Sequence, residues 1–170
     1  DKIIRVWNLQ NGERQNFRGF GGHTLEFDSR GERLLLIGED GQPKLFHLNR
    51  QEIFPFQKPF TPIDYVCFSR DQQHVFAAGP GGFVVYQTAT LQTVNGQAAQ
   101  KMSGLVSVAC HPSENSVALF SKRSAYLISV PGLEIYDHFA HGAPTPMNSG
   151  LWTLEGVSIG GADGIMHSRN

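Results

Sequence analysis

Histidine, cysteine, serine and glycine are the residue types here that could do chemistry, and their spacing can be tested against known requirements. Of seven histidines, only His138 and His141 are close together, in an H-x-x-H spacing. No cysteine and no carboxylate cluster stands beside them to complete a coordination shell. No metal site is expected. Nucleophilic chemistry finds no G-x-S-x-G elbow, and phosphate chemistry finds no G-x-x-x-x-G-K-[ST] loop. Gly79-Pro80-Gly81-Gly82 is glycine-rich, but neither a Lys-Ser/Thr pair nor a helix follows it, so it reads as a turn between strands. The chain is expected not to be an enzyme and to need no cofactor.

What remains is recognition. Three segments gather aromatic, proline and basic residues: Arg18 to His23 (RGFGGH), Phe54 to Pro62 (FPFQKPFTP) and His138 to Asn148 (HFAHGAPTPMN). Phe20, Phe60 and Met147 are the expected apolar contacts, with Arg18, Lys58 and His23 orienting a partner. Rigid apolar anchors of this kind lose little conformational entropy on contact. Phe54 and Phe56 alternate with Ile53 and Pro55 as an outer strand would, which makes packing the competing reading for those two. Val94 to Gly104 (VNGQAAQKMSG) reads as a solvent-exposed connection.

Charge narrows the partner class. With 14 Lys and Arg against 15 Asp and Glu, a broad grip on phosphate backbones is not expected, and nucleic acid is excluded as a partner. Arg14, Arg18, Arg30 and Arg33 lie among Glu13, Glu26, Asp28 and Glu32, which reads as a mixed, solvated edge. No run approaches 18 apolar residues, so no membrane partner is expected. A protein or peptide partner is.

The elements that must position these residues show themselves as a repeat. A bulky apolar column runs Trp7, Phe46, Tyr86, Ile128, in steps of 39, 40 and 42. Leu34, Val75, Val117 and Val157 step by 41, 42 and 40, and Phe27, Phe68 and Cys110 by 41 and 42. A polar column, Glu13, Glu52, Gln92 and Glu134, keeps the same beat behind turn-like dipeptides. A fixed period of this length means one supersecondary module per repeat, each needing a neighbour to cover its apolar face. Within a unit, Arg33 to Gly38, His74 to Gly79 and Ser116 to Phe120 are short apolar runs suited to buried strands. Lys44 to Leu48 and Phe83 to Thr88 are further strands entered through glycine turns. Almost no helix is expected.

Asp1-Lys2-Ile3-Ile4-Arg5-Val6-Trp7-Asn8, the loop dipeptide Gly22-His23, and the turn residues Asp40 and Asp163 resemble the WD-repeat family. Later units are degenerate, with Phe46-His47, Tyr86-Gln87 and Ile128-Ser129 replacing the family's aromatic-acidic pair and His141-Gly142 inverting its dipeptide. The resemblance implies an all-β chain: a β-propeller segment of about four WD-like four-stranded blades, part of a seven- or eight-bladed ring. Third and fourth strands of one blade are placed at 1–20, blades at about 21–58, 59–99 and 100–139, and an incomplete blade at 140–170. Trp7, His23, Asp40, Phe46, Tyr86, Ile128 and Asp163 are its structural positions, and His23 and Asp40 could pair within one unit. The loops between blades form a rim that the resemblance makes a partner-binding face. The expected function is therefore a protein-interaction platform within a larger polypeptide. A small-ligand or sensor propeller, and a purely structural assembly module, are the alternatives. The rest of a ring, or a second copy of the chain, would then be a further partner.

The cysteines complete this reading. In the repeat alignment Cys67 matches Ala109, so Cys67 and Cys110 occupy adjacent positions of equivalent strands and should face opposite ways. Two free, buried thiols in a reducing compartment follow as the expectation, and with them a cytoplasmic location.

Overall fold

Among the described residues, strands of four to seven residues, separated by turns, account for nearly all of the regular structure. The computed structural model describes residues 2–19, 21–94, 102, 104–130, 132–140, 146–162 and 166–169. Five antiparallel sheets follow one another along the sequence. Sheet 1 is β1 (Ile3–Trp7) and β2 (Arg14–Arg18), and sheet 2 is β3 (Gly22–Phe27), β4 (Arg33–Gly38), β5 (Pro43–His47) and β6 (Glu52–Pro55). Sheet 3 holds β7 (Tyr65–Phe68), β8 (His74–Gly79) and β9 (Gly82–Gln87), extended by a single bridge from Tyr86 to Thr93. Sheet 4 is β10 (Leu105–Cys110), β11 (Ser116–Ser121), β12 (Ser124–Ser129) and β13 (Ile135–Ala140); sheet 5 is β14 (Met147–Thr153), β15 (Gly156–Gly161) and β16 (Met166–Arg169). Each is a simple up-and-down meander. The all-β class and the near absence of helix expected from the sequence are observed.

The second strands of sheets 2, 3 and 4 are continuous apolar runs because both of their faces are covered. In β8, Val75 and Ala77 pack toward sheet 2 while Phe76 and Ala78 pack toward sheet 4. The same alternation splits β4, with Leu34 and Leu36 toward sheet 1 and Leu35 and Ile37 toward sheet 3. It also splits β11, with Val117 and Leu119 toward sheet 3 and Ala118 and Phe120 toward sheet 5. Side chains on a strand alternate with period two, so a sheet sandwiched between two others loses the usual apolar-polar alternation. The core is thus a series of layers between successive sheets. The first strands adjoin as well: β7 packs on β3 and β4, β10 on β7 and β8, and β14 on β10 and β11.

The repeat is also visible in the backbone. Gly12, Gln51, Leu91 and Leu133, which precede the polar exit column, all have φ between 55° and 73°. In three of these turns the same two bonds close the loop: Asn8 N–H to Glu13 O and Gly12 N–H to Asn8 O, then Gln87 to Gln92 with Leu91 to Gln87, then Ser129 to Glu134 with Leu133 to Ser129. This is a turn with one left-handed residue before the returning strand, a hairpin closure that repeats because the geometry does, even where glycine is absent.

Two expectations are corrected. Cys67 and Cys110 form a disulfide rather than standing as free thiols, joining β7 to β10 across the layer between sheets 3 and 4. Their opposite orientations are the cause: a residue facing forward from one sheet and a residue facing back from the next meet in the space between. The argument from free thiols to a reducing compartment therefore lapses. Trp7 differs from the rest of its column. Phe46, Tyr86 and Ile128 are fully buried, whereas Trp7 lies on the face of sheet 1 turned away from sheet 2 and is half exposed.

Candidate functional site

Strand direction places the expected contact residues. In each meander the second-to-third turn and the exit after the fourth strand lie at one rim, and the first-to-second and third-to-fourth turns at the other. Arg18 ends β2, His23 opens β3, and Lys58 and Phe60 lie between β6 and β7, so these four share the first rim, all exposed. Phe60 is 51% exposed. Met147 is a correction: it begins β14 at the same rim but its side chain is buried in the layer between sheets 4 and 5, and so it is unavailable as a surface contact. Phe139 packs in that layer too. Phe20, Asp163 and His141 lie outside the described residues; His138 stacks on Tyr126, ring centroids 4.6 Å apart.

Phe60 stands at the tip of a segment fixed at both feet. Phe56 and Ile63 are buried, while Gln57 N–H donates to Leu91 O and Ile63 N–H donates to Gly41 O. Gln57 Oε1 accepts from Thr93 N–H and Thr93 Oγ1, each at 3.1 Å, and Gln42 Nε2 donates to Phe56 O at 2.8 Å. Gly41 and Gly79 let the neighbouring turns close onto Pro62. A Cβ at Gly79 would collide with the Pro62 carbonyl oxygen. Gly79→Ala is expected to displace this segment and to lower unfolding stability by roughly 1–3 kcal/mol, the usual cost of overpacking. Chemical denaturation measures it, and unchanged stability would mean that the loop is loosely seated.

His23 and Asp40, which could pair within one unit, each stand beside another charged group. His23 Nε2 lies 3.9 Å from Asp64 Oδ1, whereas Asp40 sits 3.3 Å from Lys44 Nζ and accepts from Gln42 N–H. That backbone bond and the Lys44 ammonium hold the Asp40 carboxyl below its ordinary pKa. A register shift between Gly22 and Thr24 is where His23 sits. Such a bulge re-aims a side chain without changing the strand's composition. Beside it, a groove of about 300 Å³ opens between sheets 1 and 2, its surface mostly polar, with the Lys2–Glu39 ion pair and the Gly21–Gly22 backbone beside Ile4, Leu25 and Leu36. The rim therefore combines a fixed aromatic tip, a largely polar groove and exposed cations.

Polar residues of the first strands are the ones sequence reasoning missed. Thr24 Oγ1 donates to Asp64 O at 2.9 Å, Glu26 Oε1 accepts from Phe68 N–H at 3.1 Å, and Ser107 Oγ donates to Gly150 O at 3.4 Å. Each ties one sheet to the next. Burial pushes the Glu26 carboxyl up to about 7, against the smaller lowering effect of the Phe68 bond. The available signal was the polar member of the alternating GHTLEF stretch, read instead as a solvated edge.

At the opposite rim the first-to-second turns are closed by side chains of one column. Asp28 accepts from Glu32 N–H, Arg33 N–H and Arg33 Nε, Ser69 Oγ accepts from His74 N–H, and His111 Nδ1 accepts from Glu114 N–H. Burial alone would raise the Asp28 carboxyl, but the Arg33 and Glu32 bonds outweigh it and hold it below the usual range. Comparison with known proteins adds no assignment: no family model matches the chain, and no curated protein matches it.

Proposed function

We propose that the chain is a segment of a WD-repeat-like β-propeller and that it acts as a protein-interaction platform, binding a peptide or protein domain on the rim that carries Phe60. The propeller reading is supported by the sequential meanders, by the recurrent left-handed turn residue and by the packing of first strand on first strand. The single observation that carries the function is Phe60, a large exposed aromatic at the tip of a segment tied down on both sides. An aromatic held in place without a covering neighbour offers contact area with little ordering cost. Lys58, Arg18 and His23 supply orientation around it.

The test is selection of peptides against the chain by display, followed by affinity measurement on variants. Phe60→Ala should leave the melting temperature nearly unchanged, since the side chain is half exposed, and should weaken selected peptides by about tenfold or more, the scale of a hot-spot truncation. Lys58→Ala should weaken them less. Peptides that bind Phe60→Ala as tightly as the parent chain would remove this rim as the site.

A further inference from the structure

On the rim opposite Phe60, three turns enclose a polar cavity of about 740 Å³. Its walls come from the β3–β4 turn, the β5–β6 turn and the β7–β8 turn, so it lies between sheets 2 and 3. Each turn contributes one exposed arginine: Arg30, Arg50 and Arg70. None of the three forms an ion pair with another described residue.

The acids of the same walls are largely occupied. Asp28 is committed to Arg33, 2.8 Å from its Nε, and Asp71 accepts from Ser69 Oγ, Gln73 N–H and Asn115 Nδ2. Glu32 is the one lining carboxylate without a side-chain partner among the described residues. Counting Arg33, the lining sets four guanidiniums against three carboxylates; the bonds to Asp71 come from neutral donors and leave its charge in place, so the walls carry an excess of one positive charge. The turns are also held in place: Ser29 N–H donates to Gln72 Oε1 at 3.2 Å across the two sheets, and Leu48 N–H donates to Glu32 O at 3.0 Å between two turns of sheet 2. Charges on braced turns need little reordering to meet a ligand.

We propose that this cavity binds a compact small-molecule oxyanion carrying two or more negative charges. Guanidinium groups present planar, paired donors that match phosphoryl and carboxylate oxygens, and three from separate turns can address separate charged groups of one molecule. The volume falls within the range of small-molecule sites, while the polar lining disfavours an apolar ligand. An extended nucleic acid would need many more basic contacts than a chain of balanced charge offers.

Calorimetric titration of the full chain at low ionic strength tests this, with pyrophosphate and citrate as separate probes to distinguish phosphoryl from carboxylate recognition. At least one should bind saturably and more weakly as salt is raised. Arg50→Gln or Arg70→Gln should each weaken it several-fold, and the Arg30→Gln/Arg50→Gln/Arg70→Gln variant by at least about tenfold, as expected for lost charge-assisted bonds. Glu32→Gln should tighten it, while Arg14→Ala, on sheet 1, should leave it unchanged. Arg30, Arg50 and Arg70 are exposed, so thermal melting should confirm that the variants stay folded. Absence of binding by both probes, equal binding by the triple variant, or binding of polyglutamate alone would overturn the proposal.

Discussion

Reduction of the Cys67–Cys110 disulfide is expected to lower the melting temperature by about 8–16 °C. The bond closes a chain segment with a separation of 43 residues. A loop of that size removes enough freedom from the unfolded chain to stabilise the fold by about 4 kcal/mol in the chain-entropy treatment. For a domain of this length each kcal/mol moves the midpoint by about 2–4 °C. The bond also joins β7 to β10 and so acts where two sheets must stay stacked, rather than within one hairpin. Thermal unfolding with and without a phosphine reductant measures the shift, while Cys67→Ala/Cys110→Ala should melt near the reduced protein and ignore the reductant. An intact mass showing two alkylatable thiols in the untreated protein would sink the expectation. So would a midpoint indifferent to complete reduction.

The same bond shows where sequence reading stops. The cadence near forty residues was legible because packing and turn geometry are local demands that each sheet must meet again. A left-handed residue recurs before the returning strand at Gly12, Gln51, Leu91 and Leu133, and an apolar second strand recurs in sheets 2, 3 and 4. Relations between neighbouring sheets leave a subtler mark. Cys67 and Cys110 were read as facing apart, which is true of one sheet and the reverse of true for residues on two stacked sheets. That His23 lies near Asp64 goes with the register shift between Gly22 and Thr24, which has no signature in composition. Met147 reads as a loop anchor in the sequence because a proline-rich stretch hides where β14 begins. The exposure of Phe60, between Pro59 and Pro62, is readable because its surroundings are turn residues whose chemistry is local; the glycine contacts that seat the segment fall on Thr61, Pro62 and Ile63. The arginine-lined cavity was out of reach, since Arg30, Arg50 and Arg70 come from three turns that only the stacking of sheets brings together.

Glu26 makes the second large prediction, a fall in stability as pH rises from about 5 to 8. Its carboxyl stands at about 7 in the folded chain, chiefly through burial, against an ordinary value of 4.5. Between those values the folded state holds a proton that the unfolded state has released. The stabilisation is therefore complete below the unfolded pKa and is lost as pH passes through the folded one. The displacement corresponds to up to about 3 kcal/mol, or about 6–12 °C in midpoint. Asp28, Asp40 and Asp71 act in the opposite sense, because their carboxyls are held below the ordinary value and their contribution is lost only at more acid pH. Stability should then peak near pH 5, on the acid side of neutrality. Glu26→Gln isolates the effect: the amide oxygen can still accept from Phe68 N–H, but nothing ionises. That variant should match the parent at pH 5 and exceed it at pH 8 by most of the parent's loss. Parallel curves for the two proteins would show that Glu26 is solvated as an ordinary carboxylate and that the bridge from β3 to β7 carries no proton.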